Sequence, residues 1–149
     1  SLDFGTTDFT VMAWFYREKD LTTNLRLFSK GATNDETAGY AFFGANTSWT
    51  FAVGNGSKRN SVSTGNNFSP DEWHHLVGVK DADKIRTYLD GEFIQEQDAP
   101  LGSVSTTQDV YIGASQNGHL NFNGLFFLRS ILISKNNFKF SLIYRVIKR

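Results

Sequence analysis

The sequence predicts an all-β domain, a sandwich or a barrel, on three observations. Apolar segments are four to eight residues long, alternate with period two, and are separated by clusters of Gly, Asn, Ser and Asp. Fourteen Phe, five Tyr and three Trp stand against two Pro and one Met, and aromatic rings suit a pleated, half-buried surface. A helical period is found only at 136–147, where Phe138, Leu142 and Ile143 or Tyr144 share a face. About ten short strands at this spacing are the pattern of sandwiches and barrels.

In chain order, "DFTVMAWFY" (8–16) puts Phe9, Val11, Ala13 and Phe15 on one face and Thr10, Met12, Trp14 and Tyr16 on the other. Being apolar on both faces, it reads as a central strand with a partner layer on each side, and Trp14 is expected to be buried. "LRLFSKG" (25–31) alternates in the same way, and "GYAFFGA" (39–45) with "SWTFAVG" (48–54) reads as a hairpin. The polar run 54–67 reads as a loop with at most a short strand at 61–64. Strands follow at 73–80, 84–89, 92–96, 109–113 and 123–134. No linker and no internal repeat divides the 149 residues, which fit one domain spanning 1–149.

Net charge is zero but unevenly placed. Residues 1–109 hold nine Lys/Arg and all fifteen Asp/Glu, for −6, and residues 110–149 hold six Lys/Arg and no acid, for +6. The cations of this tail alternate with Phe, Leu and Ile, as on the solvated face of strands, so no nucleic-acid partner is expected. Cysteine is absent, which excludes disulfides and thiolate chemistry. No run reaches the ~18 apolar residues of a membrane span. The chain opens on Ser rather than Met, without a signal-peptide pattern, and is expected to be processed or part of a larger polypeptide.

The stretch "DEWHHLVGVKDADKIRTYLDGEFI" (71–94) gathers two histidines and several carboxylates. Its alternation places Trp73, His75, Val77 and Val79 on one face, so His75 is expected to point inward beside Trp73, and His74 to the other side. Neighbouring strand residues diverge and cannot share one metal. "DADK" (81–84) reads as a turn whose Asp side chains cap their own backbone. Asp90-Gly91 reads as the two-residue centre of a hairpin, where both residues need φ > 0.

This stretch, with Trp73 and His75 leading to Tyr88-x-Asp90-Gly91, resembles the meander of laminin G-like domains in the concanavalin A-like lectin/glucanase superfamily. "DFTVMAWFY" with "LFSKG" resembles the early strands of that family, and "VYIGAS" with "FNGLFF" the late strand and the Phe-x-Gly before the last one. The resemblance covers about residues 8–134. It implies a two-sheet antiparallel jelly-roll sandwich, and it makes "ILISKNNFKFSLIY" a degraded closing strand with a short terminal helix. It also implies that the usual first strand is missing or reduced to "SLDFG". After Gly124 the family often carries acids that support calcium, whereas this chain has Phe126 and Phe127. With the first strand reduced, the basic, Phe-rich C-terminus is a candidate to fill the open sheet edge, within the chain or in a second copy.

Glycoside hydrolysis needs two carboxylates flanking the sugar bond. Glucanase relatives carry them as Glu-x-Asp-x-x-Glu, a triplet this chain lacks. No Gly-x-Ser-x-Gly elbow and no Gly-rich phosphate loop occurs either. Carbohydrate binding needs exposed rings for stacking and amides for hydroxyl groups. The candidates are Tyr40, Trp49 and Tyr111, with Gln116, Asn117, His119 and Asn121 of the loop "SQNGHLNFN". Trp49 shares a face with Phe51 and Val53, which is more the pattern of a core residue than of an exposed ring. Calcium remains possible through loop carbonyls with Asp3, Asp35, Glu36 or Asp109, although nothing in the sequence clusters them.

The expected function is non-catalytic recognition, of carbohydrate or a cell-surface glycoconjugate, in an extracellular, cell-surface or virion-surface setting. The alternative is a protein–protein or structural module of an adhesin or viral surface particle, self-associating through the Phe-rich segment. A divergent, catalytically dead glucanase-like domain is third.

Overall fold

Period-two alternation becomes twelve strands among the residues that the computed structural model describes. It describes residues 2–17, 25–32, 34, 36–45, 48–66 and 68–114, together with the backbone of three strands beyond them. The strands are β1 (Phe9–Arg17), β2 (Leu25–Gly31), β3 (Gly39–Ala45), β4 (Ser48–Gly54), β5 (Arg59–Ser63), β6 (Trp73–Asp81), β7 (Lys84–Leu89), β8 (Glu92–Asp98), β9 (Tyr111–Ile112), β10 (Gly124–Ile133), β11 (Lys139–Phe140) and β12 (Tyr144–Ile147). One sheet runs β11-β10-β1-β6-β7-β8, with β12 also on β10, and the other runs β5-β4-β3-β2-β9. Every pairing is antiparallel. This is the two-sheet antiparallel sandwich.

The core lies between the sheets and is largely aromatic. Phe9, Val11, Ala13 and Phe15 of β1 face Phe28, Tyr40, Phe42, Trp49 and Phe51 of the second sheet, all fully buried. Phe9 stacks on Phe4 at 4.4 Å, and Phe15 meets the Trp49 ring edge-on at 4.9 Å. Residues 2–8 form no strand, yet Phe4 is buried and the Leu2 carbonyl accepts the Tyr40 hydroxyl at 2.8 Å. An irregular segment is thus anchored to the sandwich by apolar contact. Gly78 of β6 is required by packing, because a Cβ there would sit 2.5 Å from the Phe51 ring.

Four expectations are corrected. Where 136–147 is described it is strand and not helix, since β11 and β12 return along β10, pairing Leu132 with Lys139 and Leu125 with Ile147, while Phe138, Leu142 and Ile143 lie outside the described residues. Unpaired N–H and C=O groups on the second edge of β10 are satisfied this way within the chain. Trp14 is not buried; it is 38% exposed, because among the described residues the second sheet covers only the other face of β1. The inward histidine is His74, and His75 lies on the outer face with Trp73. The 81–84 turn is held from outside, by Asp8 accepting the Ala82 N–H at 2.8 Å, while Asp81 pairs with Arg86.

Asp90 explains the Tyr-x-Asp-Gly pattern physically. It and Gly91 take φ +53° and +88° at the hairpin centre. Its carboxylate accepts the His75 N–H at 2.7 Å and lies 2.6 Å from His74 Nδ1. Asp90→Ala should therefore cost about 2–4 kcal/mol, by stranding the buried His74 and straining a positive φ. Asp90→Asn, which tolerates that φ and keeps one acceptor, should cost less. Urea midpoints of the two variants measure the difference.

Candidate functional site: an aromatic outer sheet face

The alternation that buries one side of β1 and β6 exports the other. Across β1 and β6, Trp14 is opposite His75, Tyr16 opposite Trp73 and Met12 opposite Val77. Across β6 and β7, Val77 is opposite Tyr88, which in turn is opposite Phe93 of β8. The result is a continuous aromatic and apolar strip over four strands. Trp14 stacks on His75 with centroids 4.8 Å apart and planes 21° apart. Tyr16 and Trp73 are 5.8 Å apart, and Tyr88 meets Phe93 edge-on at 5.7 Å. Trp14, Trp73 and Phe93 are the large apolar side chains that remain exposed among the described residues, and all three lie here.

Backing by a second ring fixes each exposed indole in orientation, so a ligand need not pay to order it. Beyond the strip the same face turns polar. Glu96 is held by both Lys84 and Arg86, with Arg86 Nε 2.5 Å away, which keeps its carboxyl below the usual range. Desolvation beside Trp14 holds the His75 imidazole below its ordinary value, partly opposed by Asp90. This has a sign. In the unfolded chain His75 takes up a proton near pH 6.5, whereas in the folded chain it does so only at lower pH. Folding stability should fall as pH drops below about 6.5 and flatten below the folded value. Urea midpoints between pH 7.5 and 5 measure this, and His75→Gln should make the slope shallower.

The sequence-derived candidates fare unevenly. Tyr40 and Trp49 are 1% and 0% exposed, because β3 and β4 turn them into the core, so neither ring can receive a ligand. Tyr111 of β9 is half-buried, opposite Ser29. Gln116, Asn117, His119, Asn121 and Asp35 lie outside the described residues. Asp3 is engaged by Ser105 Oγ at 2.5 Å and Thr106 N–H at 3.3 Å, and Asp109 is exposed. Among the described residues no three of His, Asp or Glu gather as a metal site. A depression of about 220 Å³ between Asp8, Thr10, Val79 and Asp81 holds carboxylates already committed to Ala82 and Arg86. Gly124 begins β10, opposite Arg17.

The strip itself was missed, although one signal marked it. Phe9, Val11, Ala13 and Phe15 have no polar atom in their side chains, whereas Thr10, Trp14 and Tyr16 each have one, the usual mark of a face that meets water.

The fold is a sandwich of two antiparallel sheets around an aromatic core. The chain belongs to the concanavalin A-like lectin/glucanases superfamily, whose laminin G-type family model matches residues 1–127. No curated protein sequence matches it. Among solved structures it is similar to domains LG4-5 of the mouse laminin alpha1 chain, with TM-score 0.70 and 20% identity over 94% of this chain and 39% of that one. It is also similar to the CBM40 of Ruminococcus gnavus IT-sialidase bound to alpha2,3 sialyllactose, with TM-score 0.65 and 14% identity over 80% and 71% of the two chains. A third is the binding domain of Paraclostridial Mosquitocidal Protein 1, with TM-score 0.61 and 15% identity over 86% and 35%. At these identities the likeness establishes the fold. No described helix is long and apolar enough to cross a membrane.

Proposed function

We propose that the domain is a non-catalytic carbohydrate-recognition module, working at a cell or particle surface as part of a longer polypeptide. The observation that carries this reading is the pair of exposed indoles, Trp14 and Trp73, each backed by a second ring on one sheet face. An indole face held at the surface, as Trp14 is by the stacked His75 ring, matches the apolar face of a pyranose ring. The sialyllactose-bound CBM40 of similar fold supports it. Catalysis is not favoured, since Asp81, Asp90 and Glu96 around the strip are tied to Arg86, His74 and Lys84 rather than placed as a bond-flanking pair.

A glycan array probed with the domain, in calcium and again in chelator, tests the reading. Binding is expected in both conditions. Binding lost in chelator would replace the aromatic strip with a calcium site. Absence of binding would favour a second reading, a protein partner on the same face. That reading is supported by Phe93, which is 56% exposed beside Tyr88 and continues the strip beyond the length of one sugar.

A further inference from the structure

The outer face of the other sheet carries two arginines over one ring. Arg26 of β2 pairs in register with Phe43 of β3, and its guanidinium lies 4.6 Å from that ring's centroid. Arg59 of β5 approaches the same ring at 5.7 Å. Inward places on these strands are taken by Phe28, Tyr40, Phe42, Phe51 and Val62, so alternation turns Phe43, Thr50, Ser61 and Ser63 outward. Arg26 is 7% exposed, yet its Nε and Nη1 have no hydrogen-bond partner. A buried guanidinium with unmade bonds is costly, and a second cation beside it adds repulsion. Burial, and then Arg59, both act against its charge. The Phe43 ring offsets part of this cost by cation–π attraction, but it makes no hydrogen bond, whereas an incoming anion would relieve both costs and find donors already dehydrated.

We infer that Arg26 and Arg59, flanking Phe43, form a site for the carboxylate or sulfate of an acidic sugar, on the sheet opposite the indole strip. The hydroxyls of Thr50 and Ser61 and the half-buried Tyr111 lie on the same outer face, which suits a sugar ring better than an isolated ion. Arg59, partly buried beside the same ring, supplies the second cation, and Arg26 is the fixed anchor.

The test uses the whole domain and two probes that differ in one group, glucuronate and glucose, with acetate as a generic carboxylate. Arginine Nε–H and tryptophan indole N–H signals are followed together by NMR. The Arg26 Nε–H signal should shift and saturate with glucuronate, at least tenfold tighter than with glucose or acetate. Arg59→Gln, which replaces a side chain outside the core, should weaken glucuronate several-fold while leaving indole shifts intact. An equal response to acetate would mean an adventitious ion only and overturn the inference. So would an unmoved Arg26 signal, even if the Trp14 and Trp73 indoles respond to sugar. The converse, Arg26 moving while the indoles stay still, would support this site and count against the aromatic one.

Discussion

Gly78→Val should cost the fold about 3 kcal/mol or more, at the upper end of what overpacking a core costs, seen as a melting point lower by roughly 6–12 °C. At Gly78 the inward face of β6 touches both the Phe51 ring, 2.5 Å from an added Cβ, and the Phe42 ring, 2.9 Å away. Neither ring can retreat. Phe51 also meets Phe9 at 6.3 Å and Phe42 at 5.3 Å, so moving one disturbs the contact between the two sheets. Gly78→Ala should already destabilise, because the first added carbon makes the clash. Thermal melts of the two variants check it. If Gly78→Ala melts with the parent, the sheets are not held apart by these rings.

Trp14→Ala and Trp73→Ala should each weaken carbohydrate binding by on the order of tenfold to a hundredfold, the worth of about 1.5–3 kcal/mol of buried ring surface. Both rings lie on the outer face, so the folded state should survive and the loss should appear in affinity. His75→Ala should give a smaller loss, because it removes the ring that orients Trp14 and leaves the indole in place. Titration calorimetry with a glycan that scores on the array separates these effects. Full affinity in both tryptophan variants would move the ligand off this face.

How far the sequence could be read depends on which alternation is asked about. The β6–β8 meander was legible because Asp90 and Gly91 are demanded by backbone geometry, and that demand is local. Trp49 was readable as core from its neighbours Phe51 and Val53, and it is fully buried. The phase of β6 was not legible. Period two says that His74 and His75 diverge, but which one enters the core is decided by Asp90 reaching back across sixteen residues to seize the His74 ring. Trp14 misled for a related reason, since a strand with apolar side chains on both faces looks doubly covered whether or not a second layer exists. Arg26 gave no signal, because an arginine buried on a sheet's outer face reads like any exposed cation until its neighbours are known.

The return of β11 and β12 along β10 has a consequence for where this unit can be cut. The family match ends at residue 127, in the middle of a strand whose pairing with β1 continues to Ile133. The far side of that strand is occupied by segments as late as Ile147. A fragment trimmed to the match would leave half a strand and a bare flank that invites a neighbouring chain. The smallest portable unit therefore extends through Ile147, some twenty residues past the point where the family match ends.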